Sequence, residues 1–114
     1  MIKKICFDLD GVICTNTYGN YKDAKPLKKS IDKINKLFDE GYFIIIYTSR
    51  FMTLFNNDIK KINTVGYDFT KKQLDDWGLK YNKLLLCKPE YDLFIDDKSI
   101  NFTNDWYKII DKYL

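Results

Sequence analysis

Two aspartates one residue apart, Asp8 and Asp10, end an apolar run that starts at Ile2, and Gly11 follows at once. Carboxylates this close repel each other unless a cation or a shared proton offsets the charge, so the pair marks a place for cation binding or proton transfer. Gly11 lets the backbone turn sharply or come close to a ligand. Further groups carry chemistry later in the chain: Thr48-Ser49-Arg50 offers hydroxyls and a guanidinium, Lys88-Pro89 an ammonium, and Asp96-Asp97 a second pair of acids. Carboxylates, a hydroxyl and a cation gathered in one place are what Mg2+-assisted phosphoryl transfer requires. Singly, each has a plainer use: a strand-end Asp as a cap, Thr-Ser as a turn, Lys-Pro as a loop, Asp-Asp as solvated surface.

Gathering them is the task of the elements between. Residues 2–7 read as a buried strand that runs straight into the acids. Thr15 to Lys25 is polar, without helical or strand periodicity, and reads as a flap or loop. From Pro26, the residues Leu27, Ile31, Ile34, Leu37 and Phe38 recur at helical spacing, with Pro26 suited to the first turn and Gly41 to the C-terminal cap. Tyr42 to Tyr47 is a β-branched and aromatic run without alternation, as in a strand covered on both faces. Leu54 to Val65, closed by Gly66, and Thr70 to Trp77, closed by Gly78, each read as a short helix with a glycine stop. Leu84 to Cys87 reads as a third strand and Tyr91 to Ile95 as a fourth, and the tail from Thr103 as a closing helix capped by Thr103 or Asn104.

Strands alternating with helices imply right-handed crossovers and a parallel sheet, an α/β fold in three α/β/α layers of the Rossmann-like kind. Ligands of such sheets bind beyond the carboxyl ends of the strands. Those ends carry Asp8 and Asp10, Thr48 to Arg50, Lys88, and Asp96 with Asp97.

Composition narrows the chemistry. With 114 residues, 46% hydrophobic and 31% charged, the chain fits one folded domain spanning residues 1–114 and lacks the profile of a disordered one. The formal charge of +3 is spread without a basic patch, which argues against nucleic acid as a partner. The apolar runs are strand-sized, too short for a membrane span, and Asp8 and Asp10 break the N-terminal run too early for a signal peptide, so a cytoplasmic protein is expected. Cys6, Cys14 and Cys87 are odd in number with no CxxC spacing, hence read as reduced and buried. There is no histidine, which excludes His-based triads and the commonest zinc sites and leaves acid–base work to carboxylates, Lys or Tyr.

The runs Asp8-Leu9-Asp10-Gly11-Val12, Thr48-Ser49-Arg50, Lys88-Pro89 and Asp96-Asp97, in this order, resemble the four motifs of the haloacid dehalogenase (HAD) phosphatase superfamily. More narrowly, Thr48-Ser49-Arg50-Phe51-Met52 and Tyr91 to Lys98 look like small phosphatases associated with bacterial capsule polysaccharide biosynthesis. The resemblance implies that Asp8 is the nucleophile forming an aspartyl-phosphate, and that Asp10 protonates the leaving group and then activates water. It implies that Mg2+ is held by Asp8, the backbone carbonyl of Asp10, and Asp96, with Asp97 assisting directly or through water. Thr48, helped by Ser49, and Lys88 would hold the phosphoryl oxygens. Lys98 is the other lysine an alignment could use; Lys88 is preferred because it follows a strand. Arg50, the lone arginine, is expected to grip a second anion of the substrate, its competing use being a salt bridge to a nearby surface acid. Tyr18, Tyr21 and Phe51 are candidates for a substrate pocket, with core packing the commoner use of a residue such as Phe51.

The segments from Asp10 to Pro26 and from Arg50 to Lys88 are too short for a cap domain, so the resemblance is to the capless type. Specificity would then come from the Thr15–Lys25 flap, the loop from Phe51 to Asn57, or a neighbouring subunit covering the site. The expected substrate is a small phosphomonoester, of the sugar-phosphate or phosphorylated amino-alcohol kind. A phosphoacceptor receiver domain shares much of this inventory, but carries its adjacent acid pair first, whereas here that pair comes last. A DxD metal site of a glycosyltransferase would need a nucleotide-sugar domain for which the chain is short. A phosphotransferase, or a phosphatase acting on a larger partner, uses the same residues.

Overall fold

The computed structural model describes residues 2–114. Its sheet has strands β1 (Lys4–Phe7), β2 (Phe43–Tyr47) and β3 (Lys83–Leu85), all parallel, in the order β1-β2-β3. Lys4 pairs with Phe43 and Phe7 with Ile46, while Ile45 pairs with Lys83 and Tyr47 with Leu85, so the strands end level with one another.

Helix α1 (Lys28–Asp39) makes the first crossover. Ile31, Ile34 and Leu37 are buried along one stripe, and Gly41, at φ +98°, adopts the left-handed conformation that lets Tyr42 N–H donate to Leu37 O at 3.1 Å and turn the chain into β2. The helix begins two residues after Pro26, which stays outside it.

The second crossover is one continuous helical rod where two helices were expected. It runs from α2 (Ile59–Lys61) through a π-helical stretch (Ile62–Gly66) into α3 (Tyr67–Asp76). Gly66 does not stop it, since its φ of −65° and ψ of −43° are helical. What requires glycine there is space: a Cβ would lie 2.9 Å from Phe51 Cδ2. Gly78, at φ +74°, is the true terminator.

The fourth expected strand is absent. Tyr91 to Ile95 pairs with nothing in the sheet, and Leu93 and Ile95 are 78% and 89% exposed. Instead Tyr91 and Phe94 stack on each other at 5.1 Å and stand over the Lys88 ammonium, which draws the segment into a compact loop. The closing helix α4 (Trp106–Ile109) is shorter than expected and starts after Thr103, whose carbonyl accepts from Trp106 N–H. It is anchored by Trp106, whose indole meets Phe7 at 5.2 Å and donates to the buried Ser30 hydroxyl on α1.

The core lies on one face of the sheet, where Phe7, Ile44, Ile46 and Leu84 meet Leu9, Ile13, Ile34 and Leu74. The other face is less covered than the unbroken apolar run of β2 implies: Ile45 and Tyr47 are half-buried, and Cys6 is exposed. No helix among the described residues is long and apolar enough to cross a membrane.

Candidate active site

Past Phe7 the chain leaves β1 and turns at once. Val12 and Ile13 N–H both donate to Leu9 O, Gly11 N–H donates to Cys14 O at 2.8 Å, and Gly11 sits at φ +89° with open space where its Cβ would be. The left-handed conformation is what the turn requires of this glycine. Leu9 and Ile13 go fully into the core, and the flanking Asp8 and Asp10 remain partly exposed.

Asp8 meets the products of the other strand ends. Thr48 N–H donates to Leu85 O and Lys88 N–H to Thr48 O, which extends the β2–β3 pairing past the strands and fixes Lys88 beside Thr48. The Lys88 ammonium comes within 3.7 Å of Asp8 Oδ1 and is surrounded by the rings of Tyr47, Tyr91 and Phe94. The ends of three of the four predicted segments thus converge, with Lys88 beside Asp8, whereas Lys98 is exposed and donates its N–H to Asp96. Burial pushes the Asp8 carboxyl above its ordinary range, with Lys88 pulling the other way. Burial likewise works against the Lys88 charge, but Tyr91 and Asp8 outweigh it and the ammonium is held more firmly than usual. Asp8 and Lys88 form a charge pair at the sheet edge, the lysine largely buried and the carboxylate partly open to solvent. Thr48 is fully buried, its hydroxyl accepting from Arg50 N–H, while Ser49 is half-buried.

Arg50 is not where an incoming substrate could reach it. Its side chain is fully buried and forms a two-pronged pair with Asp10, Nε to Oδ2 at 2.9 Å and Nη2 to Oδ1 at 2.9 Å. Nη1 donates to Gln73 Oε1 on α3, Nη2 also reaches Cys14 Sγ, and the guanidinium lies 4.8 Å from the centre of the Tyr21 ring. Every donor nitrogen is engaged, which corrects the expectation of a second-anion grip. The salt bridge is real but its partner is the site's own acid, in the interior and not on the surface. Gln73 in turn donates to Tyr21 O, and Tyr21 OH accepts from Phe51 N–H, so the flap is tied to α3 and to the loop that follows β2. Nothing in the sequence pointed to Gln73; an amide on a mid-helix position carries no signal until its neighbours are known.

Phe51 is buried among Tyr21, Phe55 and Phe69, and Tyr18 is 91% exposed on the flap. Asp10 and Leu9 surround Cys14, and burial pushes its thiol up to about 12. The Phe51–Asn57 loop and Pro89-Glu90 border an open cleft of about 490 Å³, bridged by a hydrogen bond from Thr53 to Glu90; Asp8, Thr48 and Lys88 do not line it.

Asp96 and Asp97 do not join the site. Both are exposed, and Asp96 Oδ1 caps its own turn by accepting from Lys98 N–H at 2.8 Å. Among the described residues no group of three or more acids, cysteines or histidines converges as a metal cage. The expected set of Asp8, the Asp10 carbonyl, Asp96 and Asp97 is not gathered into a cage, because the acid pair lies in its own exposed loop; Arg50 engages the Asp10 carboxylate and not the carbonyl expected to bind the ion. Asp8 by itself suits this ion, which is commonly held by one or two carboxylates with waters and substrate phosphate; its carboxylate is 42% exposed, with Oδ1 accepting from Leu9 N–H and lying near Lys88.

The fold is a parallel α/β sheet with helical crossovers, and solved structures share it. A structural-genomics target from Vibrio cholerae superposes with a TM-score of 0.80 at 22% identity, covering 98% of each chain. A D,D-heptose 1.7-bisphosphate phosphatase from B. bronchiseptica, complexed with magnesium and phosphate, superposes with a TM-score of 0.53 at 18% identity, covering 98% of this chain and 64% of that one. No protein-family model and no curated protein matches the chain.

Proposed function

We propose that the protein is a phosphatase that hydrolyses a small phosphomonoester through an aspartyl-phosphate on Asp8. The observation that carries this reading is the Asp8–Lys88 pair, 3.7 Å apart at the carboxyl edge of a parallel sheet, with Asp10 held two residues on. The fold shared with a phosphatase complexed with magnesium and phosphate supports it.

In the proposed reaction the phosphoryl group enters beside Lys88, whose charge offsets that of the phosphate and of Asp8. An Asp8 oxygen attacks phosphorus in line as the bond to the leaving oxygen breaks. Asp10 gives that oxygen a proton, then takes one from the water that cleaves the acyl phosphate, freeing phosphate and restoring Asp8. Thr48 orders the loop that brings Lys88 in. Mg2+ is the cofactor of this reading, held by Asp8, and when bound it supplies charge neutralisation at the phosphate.

The narrower reading, a capless cytoplasmic phosphatase of capsule or surface polysaccharide biosynthesis, rests on the similarity of Thr48 to Met52 and Tyr91 to Lys98 to such enzymes. The cleft between the Phe51–Asn57 loop and Pro89-Glu90, lined by Thr53, Asn56, Asn57 and Glu90, offers hydrogen-bonding groups of the kind a sugar or amino-alcohol leaving group needs. A neighbouring subunit as the lid belongs to the same proposal; light scattering that finds only monomer at working concentration rules that lid out. The deciding experiment is a screen of phosphomonoesters with and without Mg2+, with Asp8→Asn as control. Turnover that depends on Asp8 is expected, and turnover that survives Asp8→Asn would sink the covalent mechanism.

A further inference from the structure

We propose that Arg50 is a positioning residue for Asp10, clamping its carboxylate at the site through a support built from Gln73 and the Tyr21 ring; this rests on the phosphatase reading above. Asp10 opens the turn after β1, where the only local side chain on its carboxylate is the weakly donating Cys14 thiol at 3.4 Å. Arg50 supplies one, reaching both carboxylate oxygens from the fully buried side of the group, whose own side chain keeps 18% of its surface open. The guanidinium is planar and its fork fixes the plane of the carboxylate, which an ammonium at the same place would not do. Its own freedom is removed in turn by Gln73 Oε1 at 2.6 Å and by the Tyr21 ring stacked at 4.8 Å.

Gln73 donates its remaining amide to Tyr21 O at 2.7 Å, so α3, the flap and the end of β2 close on one cation. This explains why a buried arginine stands directly after the site threonine. It touches no substrate: all three guanidinium nitrogens face protein groups. Orientation of a proton-transfer group is worth a large rate factor because small misplacements are costly.

The test is a double-mutant cycle on p-nitrophenyl phosphate with Mg2+. Arg50→Lys, which keeps the charge and loses the fork, is expected to lower kcat about tenfold or more with KM within about threefold. Asp10→Asn should lower kcat at least as much, and the double variant should be no worse than Asp10→Asn alone. Losses that multiply, or an effect confined to KM, would overturn the role. Gln73→Leu serves where Arg50→Lys fails to fold, with a smaller kcat loss that likewise vanishes in the Asp10→Asn background. In parallel, the Arg50 Nε–H resonance should exchange slowly with solvent in the wild type and fast in Asp10→Asn; fast exchange in the wild type overturns the clamp whatever the kinetics. Absence of Asp8-dependent turnover would instead overturn the phosphatase reading itself.

Discussion

Asp8 and Asp10 look equivalent in the sequence and are opposites in the fold. Asp8 is half-exposed across from a mobile-stemmed ammonium, whereas Asp10 is locked to a buried guanidinium. Removing one member of a buried ion pair strands its partner, so Asp10→Ala is expected to cost about 3 kcal/mol in urea unfolding, against about 1 kcal/mol or less for Asp8→Ala. Equal costs would contradict the division. For activity the order reverses in kind: Asp8→Asn should abolish turnover, and chelation by EDTA should do the same reversibly if Asp8 holds Mg2+. Turnover unchanged in EDTA would remove the ion from the mechanism. Cys14 gives a third check at this scale. Its thiol is pushed up to about 12, so it stays protonated at pH 8 and should not react with a disulfide reagent until the protein unfolds. Reaction of Cys14 at the rate of a free thiol in the folded protein would argue against the packed turn around Leu9.

The elements separate what periodicity reads from what it cannot. The amphipathic stripe of α1 and the apolar core of β2 are local patterns, and both are found within a residue or two of where the pattern places them. Gly66 shows the limit. A glycine after an apolar run is a stop signal only if the backbone turns left-handed there, and here the rod continues because Phe51 needs the room. Gly66→Ala should therefore destabilise by about 1–3 kcal/mol through overpacking, although alanine is the better helix former by about 1 kcal/mol. A stabilised variant would show that the Phe51 ring can yield. The absent fourth strand makes a matching prediction: Leu93→Ser should change stability by less than about 0.5 kcal/mol, whereas Leu84→Ala in β3 should cost about 2–5 kcal/mol. A large loss at Leu93 would mean that the segment is buried after all.

At the scale of the molecule, a parallel sheet ordered β1-β2-β3 brings the ends of distant segments to one edge, and that edge holds Asp8, Thr48 and Lys88. The less covered sheet face and the exposed Leu93, Phe94 and Ile95 leave apolar surface that favours self-association at high concentration, which light scattering on wild type and Leu93→Ser would compare. The sequence by itself determined the α/β alternation, the helix-facing residues of α1 and the convergence of the first three motifs, because each follows from short-range periodicity and from the rule that parallel strands share an end. Only the tertiary structure decided what Arg50 touches, that Gln73 and Tyr21 support it, why Gly66 is a glycine, and that Asp96 caps its own exposed loop. Those outcomes depend on which atoms distant segments bring within a few ångströms, and neither propensity nor spacing along a chain carries that information.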